Sequence, residues 1–173
     1  MAWTEPPRTW SDGELVTASI MNAHVRDQLK TTPHLLAYKS ANESLTSNTT
    51  LQNDDHLVFA MGANDVWHVQ VGLHVSGGND SNIKIAFTLP SGSMMLGTFS
   101  FNTSNAAAMF EWTASGTPQS PRSHIAGSYI WIPGTVQNGA TPGNFQLQWA
   151  QDASQATALN VNKGSTIMGL KLA

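Results

Sequence analysis

The densest group of chemically active side chains in the sequence is Asp54-Asp55-His56. Two carboxylates beside an imidazole could bind a divalent cation, but a hard cation such as Ca²⁺ takes roughly six to eight oxygens at defined spacings. The neighbouring residues do not supply such a set. We therefore interpret residues 52–55 as a turn between two strands, the second beginning at Leu57, and we predict no metal site and no cofactor.

Two histidines in the clearest strand pattern, His68 and His74, are the second candidate for metal binding. They lie on the same face of the predicted strand, six residues apart, which is about 20 Å at the rise of a strand. One chain therefore cannot hold a single ion with both. Three copies of either histidine could meet an ion on a three-fold axis; the alternative is that both are solvent-side or interface residues.

The sequence offers little support for catalysis. It contains no cysteine and no Gly-x-Ser-x-Gly elbow, and Lys163-Gly164-Ser165 has the wrong order for a phosphate-binding loop. A glycosidase needs two carboxylates that flank a cleft, whereas Glu111 alone lies in an apolar strand context. We predict a non-enzymatic protein without catalytic residues. A glycan hydrolase that uses Glu111 is the enzymatic alternative.

Three aromatic residues, Tyr129, Trp131 and Trp149, could form a ligand face. Aromatic rings stack on sugars, and neighbouring amide side chains could bond the hydroxyl groups. The alternative is that these rings fill the core or a subunit interface. Residues 114–127 and 133–144 are predicted to be long loops, and loops on a rigid scaffold are where recognition usually occurs. A carbohydrate-binding or receptor-binding module is therefore an alternative function.

The composition excludes several functional classes. Only 11% of the residues are charged, against a usual quarter or so; their place is taken by 17 Ser, 17 Thr, 13 Asn and 9 Gln. The net charge of −3 and the absence of Lys or Arg runs argue against a nucleic-acid partner. No apolar run is long enough to span a membrane, and no signal peptide is recognisable at the N-terminus.

Residues 44–173 have the pattern of an all-β body. Apolar and polar residues alternate through 66–75 and again through 83–89, as in antiparallel strands with one buried face. Gly, Asn and Pro turns separate eight to ten such strands, which is typical of a jelly-roll or related β-sandwich. Further strands are expected near residues 45–51, 57–61, 94–101, 107–113, 129–132, 145–149, 159–161 and 166–172.

Residues 1–43 form a different segment, which holds nine of the nineteen charged residues. Thr17 is a plausible N-cap for an amphipathic helix over 18–30, and residues 31–43 are predicted to be a linker. A helix of about 13 residues is too short to be stable alone, so it must dock on its own domain, a sister chain or another protein. The residues expected to make that contact are Trp3, Trp10, Ile20, Met21, Val25 and Leu29.

The N-terminal segment also resembles a known family. Trp10, then Gly13-Glu-Leu-Val-Thr17-Ala-Ser, then Met21-Asn22, then Val25-Arg-Asp-Gln-Leu29, is similar to the opening of small structural proteins of tailed bacteriophages. The match covers roughly residues 8–30. Beyond it, the strand pattern resembles trimeric jelly-roll modules of the tumour-necrosis-factor type found on virions.

This resemblance implies a structural protein of the virion, assembled in the host cytoplasm. It further implies a homotrimer whose N-terminal segment docks on other virion proteins. Neutral side chains opposite the core, such as Gln70, Gln146 and Gln148, agree with a trimer, because interface cores are depleted of charge. A tail or baseplate appendage with a role in host attachment, and a decoration of the capsid surface, both remain open. A host surface glycan is a further possible partner.

Overall fold

The computed structural model describes residues 11–22, 34–77, 82–99, 108–112, 115–120 and 128–173. In these residues the protein is almost entirely β-structure, with one helical turn, α1 (Ala18–Met21), near the start. The strands are β1 (His34–Tyr38), β2 (Glu43–Leu45), β3 (Gln52–Met61), β4 (Val66–Gly77), β5 (Ile83–Thr88), β6 (Met94–Phe99), β7 (Ala108–Trp112), β8 (Ser128–Gln137), β9 (Gly143–Gln151), β10 (Leu159–Val161) and β11 (Thr166–Lys171).

The strands form two antiparallel sheets. Sheet A has the order β1-β11-β4-β8-β6-β7, and β10 pairs with both β4 and β2; sheet B has the order β3-β9-β5. The chain crosses between the sheets repeatedly, for example from β3 to β4 and from β4 to β5. This confirms the predicted all-β sandwich. Repeated crossing is typical of Greek-key sandwiches, and the assignment to the jelly-roll type stays a prediction.

Alternating side chains of the two sheets build a single core. Val69, Val71 and Leu73 of β4 are fully buried together with Ile130 and Ile132 of β8, as the alternation in the sequence predicts. The rings of Phe59 in β3 and Trp67 in β4 meet edge to face with centroids 5.5 Å apart, which joins sheet B to sheet A. The remaining large, fully buried apolar side chains include Leu57, Phe87, Phe145, Leu147, Trp149, Ile83, Ile85 and Met95.

Four sequence predictions about element boundaries are wrong. The strand predicted near residues 45–51 is not formed there, because β2 ends at Leu45 and β3 begins at Gln52. Residues 34–38, predicted as linker, form β1, which pairs with β11. Residues 52–55, predicted as a turn, lie inside β3 at an irregularity of its register with β9 between Asn53 and Val58. The strand predicted to end at Ile132 continues through Pro133-Gly134 to Gln137. Pairing of β8 with β6 stops at Gly134, and a proline is tolerated where its nitrogen needs no ladder partner.

Candidate functional site

The N-terminal segment begins its helix where the sequence predicts. The Thr17 hydroxyl accepts a hydrogen bond from the Ile20 amide at 3.3 Å, which makes Thr17 the N-cap of α1. No residue of α1 is buried. Leu15 and Met21 are 79% and 43% exposed. This described part of the segment therefore presents apolar side chains that the body does not cover. The other predicted docking residues, Trp3, Trp10, Val25 and Leu29, lie outside the described residues, as does the predicted helix beyond Asn22.

The Asp54 carboxylate is occupied by protein partners. Its Oδ2 lies 2.6 Å from Nζ of Lys39, and its Oδ1 accepts hydrogen bonds from the amides of His56 and Leu57 at 2.9 Å. The same ammonium group donates to Glu43 at 2.7 Å. Lys39 and Asp54 are both fully buried. The cluster is therefore a structural ion pair that fixes the irregularity in β3, rather than the turn that the sequence suggests.

A second Lys–Asp pair lies at the opposite end of β3. Asp65 accepts hydrogen bonds from the Gly62 amide at 2.8 Å and from the Trp67 indole at 3.2 Å, and Nζ of Lys171 lies 2.5 Å from its Oδ1. Burial by itself raises the pKa of Asp65, but these hydrogen bonds and the charge of Lys171 outweigh that effect and lower the pKa below its ordinary value. The carboxylate thereby holds the turn between β3 and β4.

The two histidines of β4 lie on the same side of sheet A but in different surroundings. Nε2 of His68 is 3.4 Å from the Gln70 amide nitrogen, whereas the His74 ring packs edge to face against Tyr129 with centroids 4.8 Å apart. Across the described ranges, no group of three or more His, Cys, Asp or Glu residues could hold a metal ion. The described residues also include no helix that is long and apolar enough to cross a membrane.

Of the three aromatic residues proposed as a ligand face, only two share a surface. Tyr129 and Trp131 stack with centroids 6.1 Å apart, and Tyr129 is 41% exposed. Trp149 is fully buried in sheet B, so its place in the ligand face is wrong. The reason is its position in β9, where it points the same way as the buried Phe145 and Leu147.

Gly72 lets the Tyr129 ring lie flat along β4. A Cβ atom at Gly72 would come 2.1 Å from the Tyr129 hydroxyl and 3.3 Å from the Trp131 ring, so a larger residue would displace both rings. Partial burial raises the pKa of Tyr129, and a phenol with the ordinary pKa of about 10 is already neutral at physiological pH. The result is a rigid, uncharged aromatic surface.

This aromatic pair belongs to a larger surface, here named the outer face of sheet A. Cross-strand neighbours share one face of a sheet, and the register therefore places a set of residues beside Tyr129 and Trp131. The members of the outer face of sheet A include Leu35, Tyr38, Val66, His68, Gln70, Gly72, His74, Met94, Leu96, Tyr129, Trp131, Pro133, Thr135, Gln137, Thr166, Met168 and Leu170. At the margin of the sheet, Glu111 of β7 takes the register position opposite Leu96. A groove of about 240 Å³ runs beside Leu96, Pro133 and Thr135.

Glu111, the carboxylate considered for catalysis, lies in β7 with its backbone opposite Leu96 of β6. The loop prediction for 114–127 falls only partly on described residues. There, Gln119 forms a bridge with Ile85, and the Gly116 amide donates to the Phe87 carbonyl, so this stretch lies along the edge of β5. The loop predicted over 133–144 is shorter in the structure, where it comprises residues 138–142 between β8 and β9.

Sequence reasoning missed Lys39, Glu43 and Asp65. Lysine is almost never fully buried unless it is paired, and the partners of Lys39 in the cluster stand 4 and 15 residues away. No local pattern connects Lys39 with Asp54. The low content of charged residues is the signal that could have indicated the pair. In a sequence with so few charges, a lysine and an aspartate in apolar surroundings are candidates for a buried ion pair.

No protein family model matches the chain, and no curated protein matches it. Among solved structures, the chain is similar to the tripod from the baseplate of bacteriophage Tuc2009 at 10% sequence identity and a TM-score of 0.27, over 98% of this chain and 76% of that chain. A TM-score this low does not establish a common fold. The function must therefore be inferred from this chain's own residues.

Proposed function

We propose that this chain is a non-enzymatic structural protein of a tailed-phage particle. It assembles as a homotrimer and docks on other virion proteins through residues 1–43, while the β-sandwich projects as an appendage or decoration. The single observation that supports the docking role most directly is the exposure of α1 and its flanks. A capped helix start with uncovered Leu15, Val16 and Met21 needs a partner surface.

The separation of residues 11–22 from the two sheets supports the same proposal. Among the described residues the sheets begin at His34, and residues 11–22 contribute no strand to either sheet. The resemblance to phage structural proteins lies in the N-terminal segment. The body can therefore fold around its own core while the segment engages a neighbouring protein.

Particle incorporation tests the docking role. We expect a chain that lacks residues 1–30 to fold, as shown by an unchanged far-UV circular dichroism signal of the strands, and to be absent from reconstituted particles. Met21→Glu should lower occupancy strongly, because it places a charge at an aliphatic anchor of the contact. Ser19→Glu is the matched control, since Ser19 is exposed in the same turn, and it should be incorporated normally.

Cryo-electron microscopy of particles with labelled protein gives occupancy and location together. Full occupancy by the chain that lacks residues 1–30 would contradict docking through this segment. Equal occupancy by the Met21→Glu and Ser19→Glu variants would show that the apolar side chains of α1 do not make the contact.

The stacked Tyr129–Trp131 pair favours one second candidate, a carbohydrate-binding or receptor-binding module. Aromatic rings of this kind can stack on a sugar, and Tyr129 is accessible. This function predicts glycan-array binding that survives deletion of residues 1–30 and is lost in Trp131→Ala. Absence of binding by the intact protein would remove this candidate.

A further inference from the structure

The buried ion pair of Lys39 and Asp54 has a second carboxylate beside it. Nζ of Lys39 lies 2.6 Å from Oδ2 of Asp54 and 2.7 Å from Oε2 of Glu43. The side chains of Lys39 and Asp54 are fully buried, and that of Glu43 is 16% exposed. Gln52 donates a hydrogen bond to Oε1 of Glu43, which orients this carboxylate. An amine, a carboxyl group and a group that can carry a proton therefore meet in a site that largely excludes water.

The two oxygens of the Asp54 carboxyl group have different surroundings. Oδ2 faces the Lys39 ammonium group, whereas Oδ1 accepts hydrogen bonds from the backbone amides of His56 and Leu57, both at 2.9 Å. Two N–H groups aimed at one carboxyl oxygen form the arrangement that stabilises the oxyanion of a tetrahedral intermediate. The local structure therefore supports the addition of an amine at Cγ of Asp54 as well as an ion pair.

We propose that Lys39 and Asp54 condense to an intramolecular amide cross-link, and that Glu43 carries the proton for this reaction. The new bond joins Nζ of Lys39 to Cγ of Asp54, and it connects the end of β1 in sheet A with β3 in sheet B. The ion pair of the structure is the reactant state. The reaction occurs once in each chain and does not depend on the proposed role in a phage particle. A chain without cysteine thereby gains a covalent link that reducing conditions do not break.

The reaction uses only protons that the cluster already holds. Lys39 first gives one proton to Oδ2 of Asp54, which leaves a neutral amine and a carboxylic acid. The nitrogen lone pair attacks Cγ, and the electrons of the carbonyl bond move to Oδ1, where the two backbone amides stabilise the charge. Glu43 accepts a second proton from the nitrogen and passes it to Oδ2. Oδ2 leaves as water, the carbonyl bond forms again, the third proton stays on the amide nitrogen, and Glu43 is again a carboxylate.

Burial and fixed geometry favour the reaction at this site. Groups that folding holds in contact react as if at very high concentration, because the entropy of bringing them together has already been lost. Removal from water makes an ion pair costly, so conversion to a neutral amine and acid costs less here than at a surface. The pair of Lys171 and Asp65 is an internal comparison. The Lys171 side chain is 46% exposed, so water reaches that pair, and we expect no cross-link there.

The intact mass of the full-length chain tests the cross-link. Under denaturing conditions, mass spectrometry should find the wild-type chain lighter than its sequence by one molecule of water. Lys39→Met should have its full sequence mass, because it lacks the amine. Lys171→Met is the matched control at the exposed pair and should lose one water as the wild-type chain does. A wild-type mass equal to that of the sequence would overturn the proposal and leave an ion pair only.

Fragment mapping locates the bond in the wild-type chain and does not depend on the folding of a variant. A glutamate-specific protease cuts the denatured chain after Glu43. Lys39 then lies in the fragment 15–43, and Asp54 lies in the fragment 44–111. We expect the two fragments to stay joined in one branched product that is one water lighter than their sum. Recovery of two separate fragments would overturn the proposal.

A different dehydration gives the same intact mass and is distinguished by the same experiments. The Asp12-Gly13 sequence can close to a cyclic imide with loss of one water. That product leaves the two fragments separate, and it persists in Lys39→Met. A water loss with both of these properties would overturn the cross-link.

The rate of cross-linking tests the role of Glu43. Glu43→Gln keeps an oxygen that can accept from Gln52 but cannot take up a proton, so we expect cross-linking about 100-fold slower or more. Intact masses of chain taken at intervals from cell-free synthesis give the rate, and far-UV circular dichroism checks that the variant is folded. Glu14→Gln is the matched control, because Glu14 accepts from the Ser11 amide in the N-terminal segment. Cross-linking of Glu43→Gln at the wild-type rate would overturn the assignment of Glu43 as the proton carrier.

Discussion

Lys39–Asp54 and Lys171–Asp65 join the same two residue types in opposite surroundings. Both side chains of the first pair are fully buried, whereas those of the second are 46% and 11% exposed for Lys171 and Asp65. The N–O distances hardly differ, at 2.6 and 2.5 Å. Distance therefore does not distinguish the pairs, but access to water does.

The difference shows what each pair contributes. In the first, neither charge can turn to water, so Lys39 and Asp54 depend on each other and on Glu43. Lys39 directly follows β1 of sheet A and Asp54 belongs to β3 of sheet B, so this pair connects the end of β1 to the opposite sheet. In the second pair Lys171 can be hydrated, and Asp65 acts mainly through the Gly62 amide and the Trp67 indole.

The largest effect is expected from breaking the buried pair. Lys39→Met keeps much of the side-chain volume but leaves Asp54 charged and without its cation. Removal of one partner of a buried pair typically lowers the free energy of unfolding by about 3–5 kcal/mol. Urea denaturation at neutral pH measures the loss. Lys163→Met is the matched control, because Lys163 is exposed, and its effect should lie within about 0.5 kcal/mol.

A double-mutant cycle sharpens this prediction. Asp54→Asn retains an oxygen that can accept from the His56 and Leu57 amides but removes the charge. The combination with Lys39→Met should therefore be less destabilising than the two single effects added together, with a coupling of about 1–3 kcal/mol. Strict additivity would mean that the pair does not act as a unit.

An intermediate effect is expected at Asp65. Asp65→Ala leaves the Gly62 amide and the Trp67 indole without their acceptor, which should lower the free energy of unfolding by about 1–3 kcal/mol at neutral pH. The lowered pKa of Asp65 adds a pH dependence. A carboxyl whose pKa is lower in the folded chain stabilises it above the unfolded pKa of about 3.9, and this stabilisation is lost as the pH falls through the folded pKa.

The pH dependence separates the charge of Asp65 from its packing. Below about pH 4, the free energy of unfolding of Asp65→Ala should fall less steeply than that of the wild-type chain. Denaturation curves between about pH 6 and pH 2 provide the measurement. If the free energy of unfolding fell equally steeply with decreasing pH in both proteins, Asp65 would not contribute to stability through its ionisation.

The smallest effect is expected at Lys171. Because its side chain is 46% exposed, Lys171→Met should lower the free energy of unfolding by no more than about 1 kcal/mol. The difference from wild type should shrink in about 0.5 M NaCl, as salt screens exposed pairs. A loss as large as that of Lys39→Met would contradict the contrast between the two pairs.

The sequence predicts the middle of the sandwich better than its margins. In β4 and β5, alternation alone assigns the buried face correctly, because each of these strands has one apolar and one more polar side. Alternation does not predict β3, because residues 53–55 locally favour a turn. Asp54 can be buried in the strand because it pairs with Lys39, which is distant in the sequence. Pro133-Gly134 is locally typical of a strand end. The strand continues because β6 does not pair with β8 at Pro133, which a local sequence pattern cannot indicate.

Site prediction fails for a related reason. Tyr129, Trp131 and Trp149 are all aromatic and lie in strands. The alternation of side chains along β9 places Trp149 in the core, whereas the alternation along β8 places Tyr129 and Trp131 on the outer face of sheet A. The full extent of the outer face of sheet A depends on which strands are neighbours. The order β1-β11-β4-β8-β6 mixes distant parts of the chain, so pairing of β4 with both β11 and β8 is not readable from periodicity.

The position of β11 has a consequence for biosynthesis. β11 is the last strand of the chain, yet it lies between β1 and β4 in sheet A. A nascent chain on the ribosome therefore exposes one edge of β1 and one of β4 until Thr166–Lys171 have emerged. Sheet A cannot close until those residues are available, and the high contact order of such pairing makes folding slow. Unpaired strand edges are prone to aggregation, so we expect chains that end before Thr166 to aggregate.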